Sequence, residues 1–378
     1  GPKSRQQAYR MRVASCRELL DREEGDLWDS GKVASGATFG IPYEGRSLQS
    51  HQECYWKVRI WDGDGECSDW SAPARWSMGL QTYQDWAPAR WITYRIKTPA
   101  ASTGLILPPA RYFRRDFVID GPVRRVVVYA RAKGIYELHL NGQRIGADYF
   151  TPGWSDYRKR IYYNTYDLTD LVLDGENTIG AIVADGWYAG YVGFGILEHL
   201  ERSREFYGVD PALLCRIEIE YADGSRTALV SGPDWKAAEG PIRQADLLMG
   251  EVYDARLEQP GWDSPGFEAQ SWAPASVAMN PDGALMAAPT DPVREIERLT
   301  PVSIRRTGPD AWIFDLGRNF AGTVILQVHG EAGRTVKLRY GEMLNADGSL
   351  MTENLRYARA TDYYTLRNGS QSWMPRMT

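Results

Sequence analysis

Few of the residues that usually build catalytic or metal centres occur in this chain: four cysteines and four histidines in 378 residues. Cys16, Cys54, Cys67 and Cys215 lack the paired spacing of a metal site. They read as buried reduced thiols, with a disulfide among the first three as the alternative. His51, His139, His199 and His329 are far apart, and no Gly-x-Ser-x-Gly elbow is present, so no nucleophilic constellation is visible. Basic residues are not in excess. Lys and Arg total 44 against 49 Asp and Glu, a net charge of −5, which leaves no basic footprint for nucleic acid. No apolar run approaches the ~20 residues that cross a bilayer, so no membrane partner is expected. The opening residues GPKSRQQAYR carry no apolar h-region, so no signal peptide is expected. The compartment, cytoplasmic or exported, stays open. Helix-period runs longer than a few turns are also missing.

What is plentiful is turn chemistry and aromatic side chains: 37 Gly, 21 Pro, 22 Tyr and 14 Trp. Short alternating runs between turn signals predict an all-β protein. The chain is organised around residues 134–193. Tyr136 to Leu140 alternates as a half-buried strand does. Asn141-Gly142 follows, a type I′ hairpin signal because both central residues need positive φ. Gln143 to Gly146 returns as the partner strand. Arg160 to Tyr166 is strand-like, and Asp174 to Asn177 turns the chain into Thr178 to Ala184. That last run is apolar at consecutive positions and reads as a buried central strand. His139 falls on the face opposite Leu138 and Leu140 and is expected on the solvated side.

A chain of this length predicts two or three domains. Residues 1–79 read as a fibronectin type III-like sandwich, with strands at 8–14, 27–33 and 55–62 and the pattern YxWKVRxWDxDGxxSxWS. Residues 80–284 read as a jelly-roll, galactose-binding-like sandwich, entered through a Trp-containing connector at 80–95. Residues 285–378 begin a further β-sandwich, complete or incomplete, with strands near 313–322, 323–328, 335–342 and 361–366.

Four runs taken together carry a family resemblance: GxYELHLNGxRIG, TPGWSDYRKRIYYNTYDLTDL, GENTIGAIVADGWYAG and FDLGRNFAGTVIL. In this order they resemble the N-terminal region of bacterial α-L-rhamnosidases, glycoside hydrolase family 78. The NG hairpin with YDLTDL…GEN is also similar to sugar-binding domains attached to β-galactosidases and β-glucuronidases. The resemblance implies accessory β-domains of an enzyme that removes terminal α-L-rhamnose. The two carboxyl groups that glycoside hydrolysis needs would lie in a helical barrel outside this chain, supplied by a separate catalytic domain. No catalytic residue is therefore assigned. The alternative is a stand-alone carbohydrate-binding or scaffold protein for glycans containing L-rhamnose.

Sugar binding needs a flat aromatic face with hydrogen-bonding groups at its rim. Trp154, Trp187 and Tyr188 are the aromatic candidates, and His199, in a charged loop, is a candidate for a sugar hydroxyl. Some members of the family carry a version of this module that binds L-rhamnose with calcium. The Gly146-Ala147-Asp148 turn resembles the place of its acidic ligand, which makes Asp148, with Glu205, the candidate calcium pair. Asp185 in DGWY is expected to cap a turn.

Overall fold

The computed structural model describes residues 5–96, 105, 107–193, 203–279 and 283–378. His199 lies outside the described residues. The chain divides into two compact units, Gly1–Trp86 and Ala87–Thr378.

The first unit holds strands β1 (Ala8–Ala14), β2 (Trp28–Asp29), β3 (Val33–Ala34), β4 (Glu53–Trp61) and β5 (Ala74–Ser77), with one helical turn, α1 (Arg17–Asp21). They form an antiparallel sheet of order β2-β1-β4-β5, with β3 also on β1. Val13, Leu27 and Cys54 make its small core, with Trp28, Tyr43, Trp56 and Trp76 packed against them. Alternation along β4 sends Lys57 and Arg59 to one face, where Trp70 lies within 4.6–5.1 Å of Arg59, Arg12 and Lys57. The serines of SDWS bond back to that strand: Ile60 N–H donates to Ser68 Oγ at 3.1 Å and Val58 N–H to Ser71 Oγ at 3.2 Å.

The second unit begins with β6 (Ile92–Thr93), β7 (Arg111–Ile119), β8 (Val123–Lys133), β9 (Ile135–Leu140), β10 (Gln143–Arg144), β11 (Arg160–Asp167) and β12 (Gly175–Ala184). After a single helical turn, α2 (Gly186–Ala189), come β13 (Ala212–Tyr221), β14 (Arg226–Val230), β15 (Lys236–Glu239), β16 (Ile242–Asp246) and β17 (Gly250–Asp254). Then follow β18 (Ala273–Pro274), β19 (Ser276–Val277) and β20 (Ala284–Ala287). Two sheets pack face to face. One has order β10-β9-β12-β7-β15-β18, the other β19-β6-β13-β8-β11-β20 with β14 beside β13. β6, inside the stretch read as a connector, already pairs with β13 and β19.

The core between the sheets is built by period-two alternation. Tyr136, Leu138 and Leu140 on β9 and Ile179, Ala181 and Val183 on β12 meet Val126, Val128 and Ala130 on β8 and Leu213, Cys215 and Ile217 on β13. The other face of the β12 sheet is buried too. Tyr112, Ile135, Ile182 and Ala184 pack there against Ile242, Ala245, Trp272 and Met377. Burial on both faces is why the β12 run reads as continuously apolar. Asn141 at φ +52° and Gly142 at φ +83° make the turn between β9 and β10, as the Asn-Gly signal predicts.

The last strands are β21 (Ser303–Gly308), β22 (Ala311–Asp315), β23 (Leu326–Gly330), β24 (Thr335–Arg339), β25 (Thr361–Thr365) and β26 (Gly369–Trp373). β17 pairs in parallel with β25, giving a sheet of order β16-β17-β25-β24 that joins this region to the sandwich before it. Ala255, Tyr364, Leu366 and Trp373 form its core. β21 pairs only with β22, and β23 only with β26, among the described residues. Ile304, Trp312 and Phe314 on the β21–β22 hairpin are exposed.

Among the described residues the two α-helices have five and four residues. The fold is all-β, as expected. No helix is long and apolar enough to cross a membrane.

Candidate functional site

The aromatic candidates gather at one end of the sandwich, where β12 runs into α2. Gly186, at φ +50°, makes the bend, and a Cβ there would lie 2.7 Å from Ile135 Cγ2 and 2.9 Å from Ile135 N. The following residue, Trp187, packs edge-on to Phe150 at 6.3 Å between centroids. Its ring also lies parallel to Trp154, 4° between planes and 6.1 Å between centroids, the offset arrangement aromatic quadrupoles favour. Trp154 is 53% exposed, so the pair presents one supported indole face to solvent. Tyr188 points the other way. It is buried against Tyr157, with centroids 5.3 Å apart, and its hydroxyl packs where a Cβ on Gly208 would collide with it at 2.1 Å. The structure thus joins Trp154 and Trp187 and takes Tyr188 out of the surface.

Asp185 makes no side-chain cap to α2. It is buried between two arginines instead, with Arg204 at 2.6 Å and Arg111 at 3.4 Å. Burial pulls the Arg111 guanidinium below its usual pKa, and the Asp185 charge only partly offsets that. Alternation placed Asp185 at the end of a strand but carries no sign of partners on β7 and in the loop at Arg204.

The residues named for calcium do not suit a cation. Asp148 Oδ1 accepts from Arg294 Nε at 2.8 Å and Oδ2 from the Tyr166 hydroxyl at 3.4 Å, while the Arg144 guanidinium donates to its backbone carbonyl. Glu205, at φ +61°, has Arg204 Nε 3.6 Å from its carboxylate. Calcium takes six to eight oxygen ligands, and here cationic side chains already engage these carboxylates. No group of three or more His, Cys, Asp or Glu able to hold a metal occurs among the described residues.

A second cluster was not foreseen. His139 is buried, not solvated, because the segment carrying Trp262 and Asp263 and the segment carrying Arg376 cover the outer face of β9. Its Nδ1 lies 2.7 Å from Asp263 Oδ2 and its Nε2 2.8 Å from Glu137 Oε1. Glu137 also forms an ion pair with Arg144 at 2.7 Å and accepts a hydrogen bond from Arg376 at 2.6 Å. Burial pushes Glu137 up, but His139 and the two arginines outweigh it and hold the carboxyl down at about 2. Burial likewise works against a charged His139, and the two carboxylates overcome it, so its pKa is raised. Sequence gave one clue, the i, i+2 spacing of Glu137 and His139 on one strand face. Asp263 and Arg376 are brought in only by the fold.

None of these acids forms a hydrolytic pair in an open cleft. Glu251 is fully buried and pushed up to about 8 by desolvation, yet it accepts from Arg376 N–H and Met377 N–H in the protein interior.

Two compact units built on β-sheets in series define a multidomain β-sandwich protein. Comparison with known proteins gives the family. Residues 1–82 match a Rha78A-like N-terminal immunoglobulin domain, residues 121–297 an alpha-L-rhamnosidase N-terminal domain, and residues 305–378 a bacterial alpha-L-rhamnosidase concanavalin-like domain. An alpha-L-rhamnosidase of Streptomyces avermitilis is 34% identical over 541 residues, covering 100% of this chain and 52% of the relative. One from Formosa agariphila is 35% identical over 390 residues, covering 99% and 40%. The structure of the Streptomyces avermitilis enzyme complexed with L-rhamnose superposes with a TM-score of 0.92 at 31% identity, covering 100% of this chain and 52% of that one. The Dictyoglumus thermophilum alpha-L-rhamnosidase gives 0.89 at 33%, covering 99% and 42%. The chain matches the N-terminal region of the α-L-rhamnosidases of glycoside hydrolase family 78. It spans about half the length, or less, of the relatives it matches.

Proposed function

We infer that this chain is the accessory region of an α-L-rhamnosidase, holding glycans that contain terminal α-L-rhamnose for a catalytic domain that carries the two carboxyl groups. The observation that supports this most strongly is the ordered match of three rhamnosidase domain models along one chain. The Trp154–Trp187 pair is the part that engages sugar. An indole face supported from behind by a second ring offers the apolar surface on which the C–H groups of a deoxy sugar stack. Hydrolysis is left to the catalytic domain, which would carry the acid and base that glycoside hydrolysis needs.

Calorimetric titration with L-rhamnose and with a rhamnose-bearing polysaccharide tests the reading. Heat of binding is expected with the unaltered chain and its loss with Trp154→Ala. Trp154 is half buried and stacks on Trp187, so its removal should cost about 1–2 kcal/mol of stability. No heat at millimolar sugar, or release of rhamnose from an aryl α-L-rhamnoside by the pure chain, would overturn it.

A further inference from the structure

The imidazole of His139 has a carboxylate oxygen on each ring nitrogen, at 2.7 and 2.8 Å. A neutral imidazole has one N–H and one lone pair, so it can donate to only one of them. The other nitrogen would then face a carboxylate lone pair in a buried site, where such a contact is costly. The doubly protonated ring satisfies both. Arg144 and Arg376 both pair with Glu137, which leaves His139 as the ion-pair partner of Asp263 among the described residues.

The cluster also has a mechanical consequence. Arg376 reaches Glu137 across 239 residues of chain and shares Oε1 with His139 Nε2. On the same segment, the backbone N–H groups of Arg376 and Met377 both donate to Glu251 Oε2, at 3.1 and 3.0 Å. Met377 is buried against Tyr112, Ile135 and Ile182. One carboxylate therefore holds the side chain of this segment, a second holds its backbone, and an apolar plug lies beside both.

The geometry points to a proton-dependent clamp: His139, as an imidazolium between Asp263 and Glu137, fixes Glu137 for Arg376, and loss of its proton at alkaline pH releases residues 374–378 from the sandwich. The charged and titratable groups facing His139 are Glu137 on its own strand, Arg144 on β10, Asp263 in the covering segment and Arg376. Behind that covering segment Arg114 on β7 donates to Trp262 O and pairs with Asp116. Glu251, Tyr112 and Tyr253 surround the docked segment. Among the described residues Asp263 has no second cation, whereas Glu137 has two, so the one remaining proton of a neutral ring belongs on Nδ1. The Nε2 lone pair then points at Glu137 Oε1, the oxygen that Arg376 uses.

Hydrogen exchange of the peptide containing residues 374–378, followed by mass spectrometry from pH 6 to 9.5 and corrected for the intrinsic rate, tests the clamp. Protection is expected to fall ~10-fold or more across that range. In His139→Gln it should be low throughout, with no step. In Glu251→Gln the step should remain, since the proton in question is not on Glu251. A flat profile in the unaltered chain, a step that survives His139→Gln, or one that disappears in Glu251→Gln would overturn the proposal. If His139→Gln does not fold, Arg376→Gln at the exposed rim replaces it, with the same low, flat profile expected and a retained step overturning. NMR titration of the unaltered chain gives an independent readout. One imidazole should remain doubly protonated at pH 7; four neutral rings at that pH would overturn the clamp.

Discussion

Asn141 and Asn177, 36 residues apart, lock their side chains together: Asn141 Nδ2 donates to Asn177 Oδ1 at 2.8 Å. Both also bond backbone at the entry to β12. Asn141 Oδ1 accepts from Thr178 N–H at 2.9 Å. Asn177, fully buried, also accepts from Leu173 N–H and donates to the carbonyls of Leu173 and Gly175. The β9–β10 hairpin and the entry to β12 are thus one unit, closed by two amides.

Asn177→Ala removes one donor group and one acceptor that serve four partners, and leaves buried backbone groups unpaired. A loss of about 2–3 kcal/mol is expected from urea unfolding. Asn141→Ala, at an exposed turn, should cost less. Equal and small effects would show that the lock contributes nothing.

Gly180 faces His139 in the register of β9 and β12. A Cβ there would lie 2.8 Å from the Trp262 ring and 3.1 Å from Asp263 Cβ. Its missing side chain is the space in which the covering segment reaches His139. Gly180→Ala should destabilise by about 1–3 kcal/mol through overpacking. It should also lower the pKa of His139, because Asp263 is displaced. A fold of unchanged stability with an unchanged imidazole titration would contradict this.

The pH dependence of stability has two signs. Glu251 keeps its proton up to about 8 in the folded chain, while an unfolded glutamate loses it near 4.5. Between those values the unfolded state binds fewer protons, so Glu251 lowers stability as pH rises, by at most about 1.4 kcal/mol per pH unit. Glu137, at about 2, acts oppositely: its contribution is present above 4.5 and is lost as pH falls toward 2. Glu251→Gln should flatten the slope of urea-derived stability between pH 5 and 8. An unchanged slope would place the titration elsewhere.

Calcium is expected to do little to this chain, since Arg294, Arg144 and Arg204 occupy the surroundings of Asp148 and Glu205. Millimolar calcium or a chelator should shift the melting temperature by less than about 1 °C. A rise of several degrees with calcium would require these ion pairs to open.

The all-β class, the Asn-Gly hairpin, the buried run of β12 and the aromatic candidates follow from local rules: side-chain period, positive-φ turns and composition. They involve residues close together in sequence, so the chain by itself determines them. Trp154 and Trp187 were both named from the sequence, but only the bend at Gly186 decides that their rings lie parallel while Tyr188 turns inward. His139 shows the other limit. Alternation correctly puts it opposite Leu138 and Leu140, yet cannot tell whether that face meets water. The answer lies in Trp262, Asp263 and Arg376, which the fold brings over that face: they bury the ring, and the Asp263 and Glu137 carboxylates raise its pKa against that burial.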